Sequence, residues 1–162
     1  MDNKNGLMSP KYVTLCKEAK KRGMDSEAIA LLGQFFTLSA ALTDMCVNNL
    51  NQFELLEGRF VSMLMINDKE SAAPHEISTL TGLTRASITS TIDSLEKRDF
   101  AVREASRTDR RSLTVKLTAE GKATLDQTVT SQLNWLAGLT SSLDEDEKAA
   151  FKSILTKISN NM

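Results

Sequence analysis

Leu31, Phe35, Leu38, Leu42 and Met45 recur at steps of four, three, four and three. That rhythm predicts a long amphipathic helix over about residues 25–49, with a seam suited to another helix. "LEGRFVSMLMIN" at 56–67 is apolar on most sides and predicts a buried helix. Upstream, residues 1–9 are polar, and 11–22 fit a short helix ending near Gly23. "AAPHEISTLTG" reads as another short helix, with Pro74 in its first turn and Gly82 as its C-terminal cap.

The next helix spans 84–98, "TRASITSTIDSLEKR", with Thr84 as N-cap. Ile88, Ile92 and Leu95 mark its core face. At 100° per residue the opposite face carries Ala86, Ser90, Asp93 and Lys97, flanked by Thr89 and Ser94. Small, hydrogen-bonding side chains dominate there, where a merely solvated helix would carry long Glu and Lys. Phe100 to Glu104 and Leu113 to Leu117 alternate like strands and predict a hairpin. Thr118 caps a helix over 119–139, and Asp144 with Glu147 has capping-box spacing for a last helix, 145–159. The fold class is mainly α with a small β-hairpin wing: a winged helix-turn-helix lobe between dimerisation helices.

Composition narrows the function. At 162 residues and net charge -1, the chain makes no general case for nucleic acid, so any such case must come from local charge. Basic residues do cluster. Lys11, Lys17, Lys20, Lys21 and Arg22 face Glu18 alone, and Arg103, Arg107, Arg110 and Arg111 crowd into one short stretch. No apolar run is expected to cross a bilayer, and the start shows no secretory pattern. Cys16 and Cys46 are too few for a disulfide framework. The lone His75 cannot join them at a metal-ligand spacing, no glycine-rich phosphate loop is present, and the carboxylates suit caps and ion pairs. An enzyme is not expected, nor is a cofactor or metal.

The hairpin tip, Arg107 to Arg111, has a use beside such a helix. A duplex minor groove is narrow and strongly negative, so arginines inserted there gain attraction without many base contacts. Asp109 fits instead as a partner that pairs with a neighbouring arginine and shapes the loop. At "D109-R-R111" followed by "L-T-V-K-L-T118-A-E-G121", at "L83-T-R-A-S-I-T-S-T-I-D-S-L-E-K-R98" and at "E57-G-R-F60", the sequence resembles the MarR family of bacterial transcriptional regulators. The resemblance covers about residues 30–160. It departs at Asp99, where the family usually has glycine, and at Ala105 and Arg107, where wing prolines are common.

The resemblance implies a cytoplasmic homodimeric repressor of a pseudo-palindromic operator in double-stranded DNA. Thr84, Arg85, Ala86, Ser87, Thr89, Ser90 and Lys97 would be its DNA-contacting residues on the helix, and Arg107, Arg110 and Arg111 those on the wing. Its parts are an N-terminal arm (1–24), a dimerisation region (25–50 and 119–162) and the DNA-binding lobe (51–118). It also implies relief by a small aromatic or phenolic effector, with Phe36, Met45, Arg59 and Met63 as candidate walls. From the residues alone, methionines 45, 63 and 65 read as core rather than as a ligand box, though Met suits an adaptable pocket. Two alternatives stay open: a winged-helix protein-interaction module without DNA binding, and a redox-responsive regulator using Cys16, whose neighbours Lys17 and Lys20 favour a thiolate.

Overall fold

A computed structural model describes residues 7–105 and 113–161 of the chain. The elements run α1 (Pro10–Lys21), α2 (Ser26–Asn51), α3 (Glu57–Asp68), α4 (Pro74–Thr81), α5 (Arg85–Lys97), β1 (Ala101–Ala105), β2 (Leu113–Leu117), α6 (Ala119–Leu139) and α7 (Glu145–Ser159). They pack as two compact units that meet in sequence between Asn49 and Leu50, near the end of α2.

In the N-terminal unit α1 lies directly against α2. Gly33 makes this possible: a Cβ there would stand 2.6 Å from the Tyr12 Cβ. The Ser9 N–H donates to the Thr37 hydroxyl at 3.0 Å, and Tyr12 stacks on Phe36 with ring centroids 5.7 Å apart. α1 ends as its sequence predicts, with Gly23 at φ +68° and the Met24 N–H returning to the Ala19 carbonyl at 2.9 Å. Asp25 caps α2 by accepting from the N–H groups of Glu27 and Ala28. The seam residues Leu31, Phe35, Leu38 and Met45 are exposed. One expectation needs correction. By length and composition α2 is apolar enough to cross a membrane, with a mean hydropathy of 1.4 over its best window. Polar residues such as Gln34, Thr37 and Thr43 interrupt any continuous apolar run, while the average over the window stays high.

The C-terminal unit is built around one core. Leu55, Met63, Ile66, Ala72, Ile77, Ile88, Ile92, Leu95, Ala101, Val115, Leu117 and Leu125 form a single buried cluster drawn from α3, α4, α5, the hairpin and α6. β1 and β2 pair antiparallel, from Ala101 opposite Leu117 to Ala105 opposite Leu113. Ala72 adds a third rung by exchanging backbone hydrogen bonds with Val115 at 3.0 and 2.8 Å. The helix starts are the sequence's own: Thr84, Thr118 and Asp144 each accept a backbone N–H three residues on. Glu147 returns the favour to the Asp144 N–H, completing the capping box. α4 has half of one. Glu76 accepts from the Ala73 N–H at 2.8 Å, but alanine has nothing to return.

α6 comes unusually close to the chain before it. A Cβ on Gly121 would lie 1.9 Å from the Phe100 carbonyl oxygen. The first half of α6 is buried through Leu125, Thr128 and Gln132, whereas Leu133, Leu136 and Leu139 beyond it are exposed. α7 buries none of its residues.

Candidate nucleic-acid interface

α4, a three-residue turn and α5 make the helix–turn–helix. Gly82 leaves α4 in the left-handed region at φ +70°, which favours glycine. The Ser78 hydroxyl donates to the Leu83 carbonyl at 2.6 Å, and the Leu83 N–H donates to the Thr81 hydroxyl at 3.3 Å. The turn is therefore held by short-range bonds. α5 then begins on Thr84, whose hydroxyl accepts from the Ser87 N–H at 3.2 Å and stands 2.9 Å from the Ser87 hydroxyl.

Ile88, Ile92 and Leu95 anchor α5 with essentially no exposed surface. That fixes what the other face presents. Thr84, Arg85, Ala86, Ser87, Thr89, Ser90 and Lys97 are all exposed. Thr84 and Ser87 are engaged with each other in the cap, and the Thr89 hydroxyl donates to the Arg85 carbonyl at 3.0 Å. Its lone pairs and methyl stay outward. Arg85 and Lys97 form no ion pair among the described residues. Ala86 leaves the helix backbone open to close approach near the N-terminal end, the part of such helices that reaches base edges. An open groove of about 510 Å³ runs beside this face, lined by Pro74, His75, Arg85, Thr89 and Leu113. It joins the start of α4 to the start of β2.

Arg107, Asp109, Arg110 and Arg111 fall at 106–112, outside the described residues. Arg103, from the same arginine-rich stretch, lies within them and is engaged inside the lobe. One guanidinium nitrogen reaches Asp93 at 2.6 Å, the other pairs with Glu96, and its backbone N–H donates to Glu96 at 2.9 Å. Sequence reasoning missed this pairing; the usable signal was two carboxylates three apart on one helix, ahead of a strand with a central arginine. A second cluster gathers at the C-terminal end of α5. Glu54, Arg59, Ser94, Lys97 and Arg98 line a cleft of about 460 Å³, where Arg98 pairs with Glu54 at 2.7 Å.

The four candidate ligand walls divide between the units. Phe36, about half exposed, is stacked on Tyr12, and Met45 is exposed; both belong to the N-terminal unit. Arg59 is half-buried in the cleft just described, and Met63 is wholly enclosed in the core cluster. Burial makes Met63 a packing residue in this arrangement rather than an open wall. Cys16 is a half-buried free thiol. Among the described residues no three His, Cys, Asp or Glu side chains gather to hold a metal ion. The clearest perturbed acid is Glu76, held below the ordinary carboxylate range by the Ala73 N–H and then by the Lys69 ammonium at 3.1 Å.

Comparison with known proteins meets this geometry at the same residues. The family model described as MarR family matches residues 53–112, from just after α2 through α3, α4, α5 and β1 to the residue before β2. The chain is 25% identical to the HTH-type transcriptional repressor YetL of Bacillus subtilis over 149 residues, which covers 90% of this chain and 89% of YetL. It is 32% identical over 132 residues to the transcriptional repressor MprA of Escherichia coli K12, covering 72% and 74% of the two chains. Among solved structures, the transcriptional repressor CouR bound to a 23-mer DNA duplex superposes with a TM-score of 0.63 at 27% identity, over 76% of this chain and 90% of CouR. Identity of 32% to MprA over most of both chains, together with a family-model match that spans the helix–turn–helix, shows that the chain belongs to the MarR family of transcriptional regulators.

Proposed function

We propose that this regulator is a homodimeric, sequence-specific DNA-binding repressor of the cytoplasm, without enzymatic activity. The observation that supports it most is α5: a helix pinned on one face by Ile88, Ile92 and Leu95 and offering small and cationic side chains on the other. α5 enters a major groove, Arg85 and Lys97 meet phosphates, and Ala86, Thr89 and Ser90 meet base edges. Arg107, Arg110 and Arg111 enter the adjacent minor groove, with Asp109 shaping the wing. Residues 51–118 form the DNA-binding lobe, and 25–50 with 119–162 the dimerisation region, behind an arm at 1–24. Two-fold symmetry then sets two α5 helices about one helical turn apart on a pseudo-palindrome. CouR, a transcriptional repressor whose structure is bound to a DNA duplex, supports the DNA partner. Relief by a small aromatic or phenolic effector is the remaining element of the reading, and titration of such compounds into a protein–duplex complex tests it.

Ala86→Leu is the decisive variant. The larger side chain holds the helix away from the groove floor, so affinity for a duplex selected by the protein falls. Salt-sensitive binding to random duplex persists, because the arginines remain. Equal loss on both duplexes, or on neither, would remove α5 as the reading element and favour a protein-interaction module.

A further inference from the structure

Arg103 turns toward α5, the helix proposed to read DNA. It sits at the middle of β1, opposite Val115, with its side chain about three-quarters buried. Its guanidinium spans Asp93 and Glu96, which lie three apart on α5, and its own N–H adds a third link to Glu96. The planar fork meets the two carboxylates with two nitrogens at a fixed separation, whereas a lysine ammonium offers its donors from a single freely rotating point. The fork therefore ties β1, and the hairpin it opens, to a fixed place on α5.

The same contact has an electrostatic side. Asp93 shares the outward line of Ala86, Ser90 and Lys97, and its side chain is more than half exposed. A bare carboxylate on a surface that meets phosphates repels them. Arg103 neutralises it from below without occupying the surface itself.

We infer that Arg103 is a positioning residue for sequence reading: it sets the wing's direction relative to α5 and silences two carboxylates beside the groove. This rests on the DNA-reading role proposed above. It separates two functions within one arginine-rich stretch. Arg107, Arg110 and Arg111 supply charge to the duplex, whereas Arg103 supplies alignment between the two elements that touch it. Removing alignment lowers discrimination between sequences, and removing charge lowers affinity for all of them.

The test uses the full chain, a duplex selected by the wild-type protein from a random pool, and random-sequence duplex of equal length. Arg103→Gln should lower affinity for the selected duplex about tenfold or more and for random duplex less, so the ratio between them falls. Arg103→Lys keeps the charge but not the fork, and should give an intermediate ratio. The triple variant Asp93→Asn, Glu96→Gln, Arg103→Gln removes the repulsion without restoring the clamp. Its random-duplex affinity should return to the wild-type level while the ratio stays low. Should Arg103→Gln fail to fold, Asp93→Asn cuts one arm of the fork and should still lower the ratio. An unchanged ratio in folded Arg103→Gln, or a triple variant with both affinities restored, would overturn the positioning role while leaving DNA binding intact. A wild-type protein that selects no duplex would overturn the functional reading and this inference with it.

Discussion

The core of the C-terminal unit and the apolar seams outside it contain the same kinds of side chain in opposite circumstances. Ile66, Ile77, Ile88, Ile92 and Leu95 reach zero or near-zero exposure within one chain. Leu31, Leu38 and Met45 on α2, Leu133 and Leu136 late in α6, and Phe151 and Ile154 on α7 are each roughly half exposed or more. Isolated exposed leucines are ordinary, but rows of them at helical spacing mark surfaces that meet something else. The first region completes its burial alone. The second is what a two-fold pair would cover, which accords with the homodimer proposed for this regulator.

The sharpest way to break the self-completed half is at Gly121. Gly121→Ala places a methyl 1.9 Å from a backbone oxygen that belongs to the loop after α5, and no flexible side chain can yield instead. A loss of about 3 kcal/mol or more is expected, at the upper end of overpacking costs. Urea denaturation measures it, and an unchanged midpoint would mean that α6 does not sit as described.

Leu38→Glu probes the other half. The side chain is nearly half exposed, so the single chain should keep its fold. A charge buried twice in a symmetric interface should raise the dimer dissociation constant by about a hundredfold, roughly 2.7 kcal/mol. Sedimentation at graded concentrations reads this. A dimer as tight as wild type would move the interface off this seam.

What could be read in advance follows the same division between near and far. The caps at Thr84, Thr118 and Asp144 satisfy N–H groups three residues away, so the sequence around them contains the whole interaction. The core face of α5 is equally local, because its period is the helix's own. The links between elements were not legible. Arg103 meets partners seven and ten residues back, and Ala72 pairs with Val115 across forty-three positions. Nothing in either segment names the other. Met63 shows a related gap: a thioether suits a core and a pocket alike, and only burial decides. Asp99 stands where the family usually has glycine, and the structure shows why the position is demanding. Its φ is +59°, a left-handed conformation that aspartate tolerates better than most residues.

Arg111→Ala addresses the DNA contact proposed for the wing. Removing the charge proposed for the minor groove should weaken operator binding by about 1–3 kcal/mol with dimer and melting temperature unchanged, checked by anisotropy titration and thermal unfolding. Full affinity in the variant would take Arg111 out of the interface.

The smallest expected effect is at Glu76. Its pKa is lowered in the fold by the Ala73 N–H and by Lys69, so its contribution is present above the ordinary carboxylate value and fades as pH falls through the folded value. Glu76→Gln should cost less than about 1 kcal/mol at neutral pH and shrink toward nothing in acid, because the group is partly exposed. Paired stability curves at pH 7 and pH 3 would show it. A cost that does not diminish on acidification would point to packing rather than charge.

The tight seating of Gly121 has a mechanical consequence. The Thr118 hydroxyl donates to the Asp99 carbonyl and accepts from the Gly121 N–H, so the first turn of α6 is riveted to the loop that closes α5. From that rivet α6 extends 21 residues, roughly 31 Å at the rise of an α-helix, and its far end bears Leu133, Leu136 and Leu139. Such a rod is a lever with a stiff fulcrum. A tilt of about 5° at the base displaces the tip by nearly 3 Å, more than half a helical turn of rise, and a push on the tip is returned to α5 as rotation. A methyl group's width at Gly121 is therefore the tolerance to which the whole arm is set.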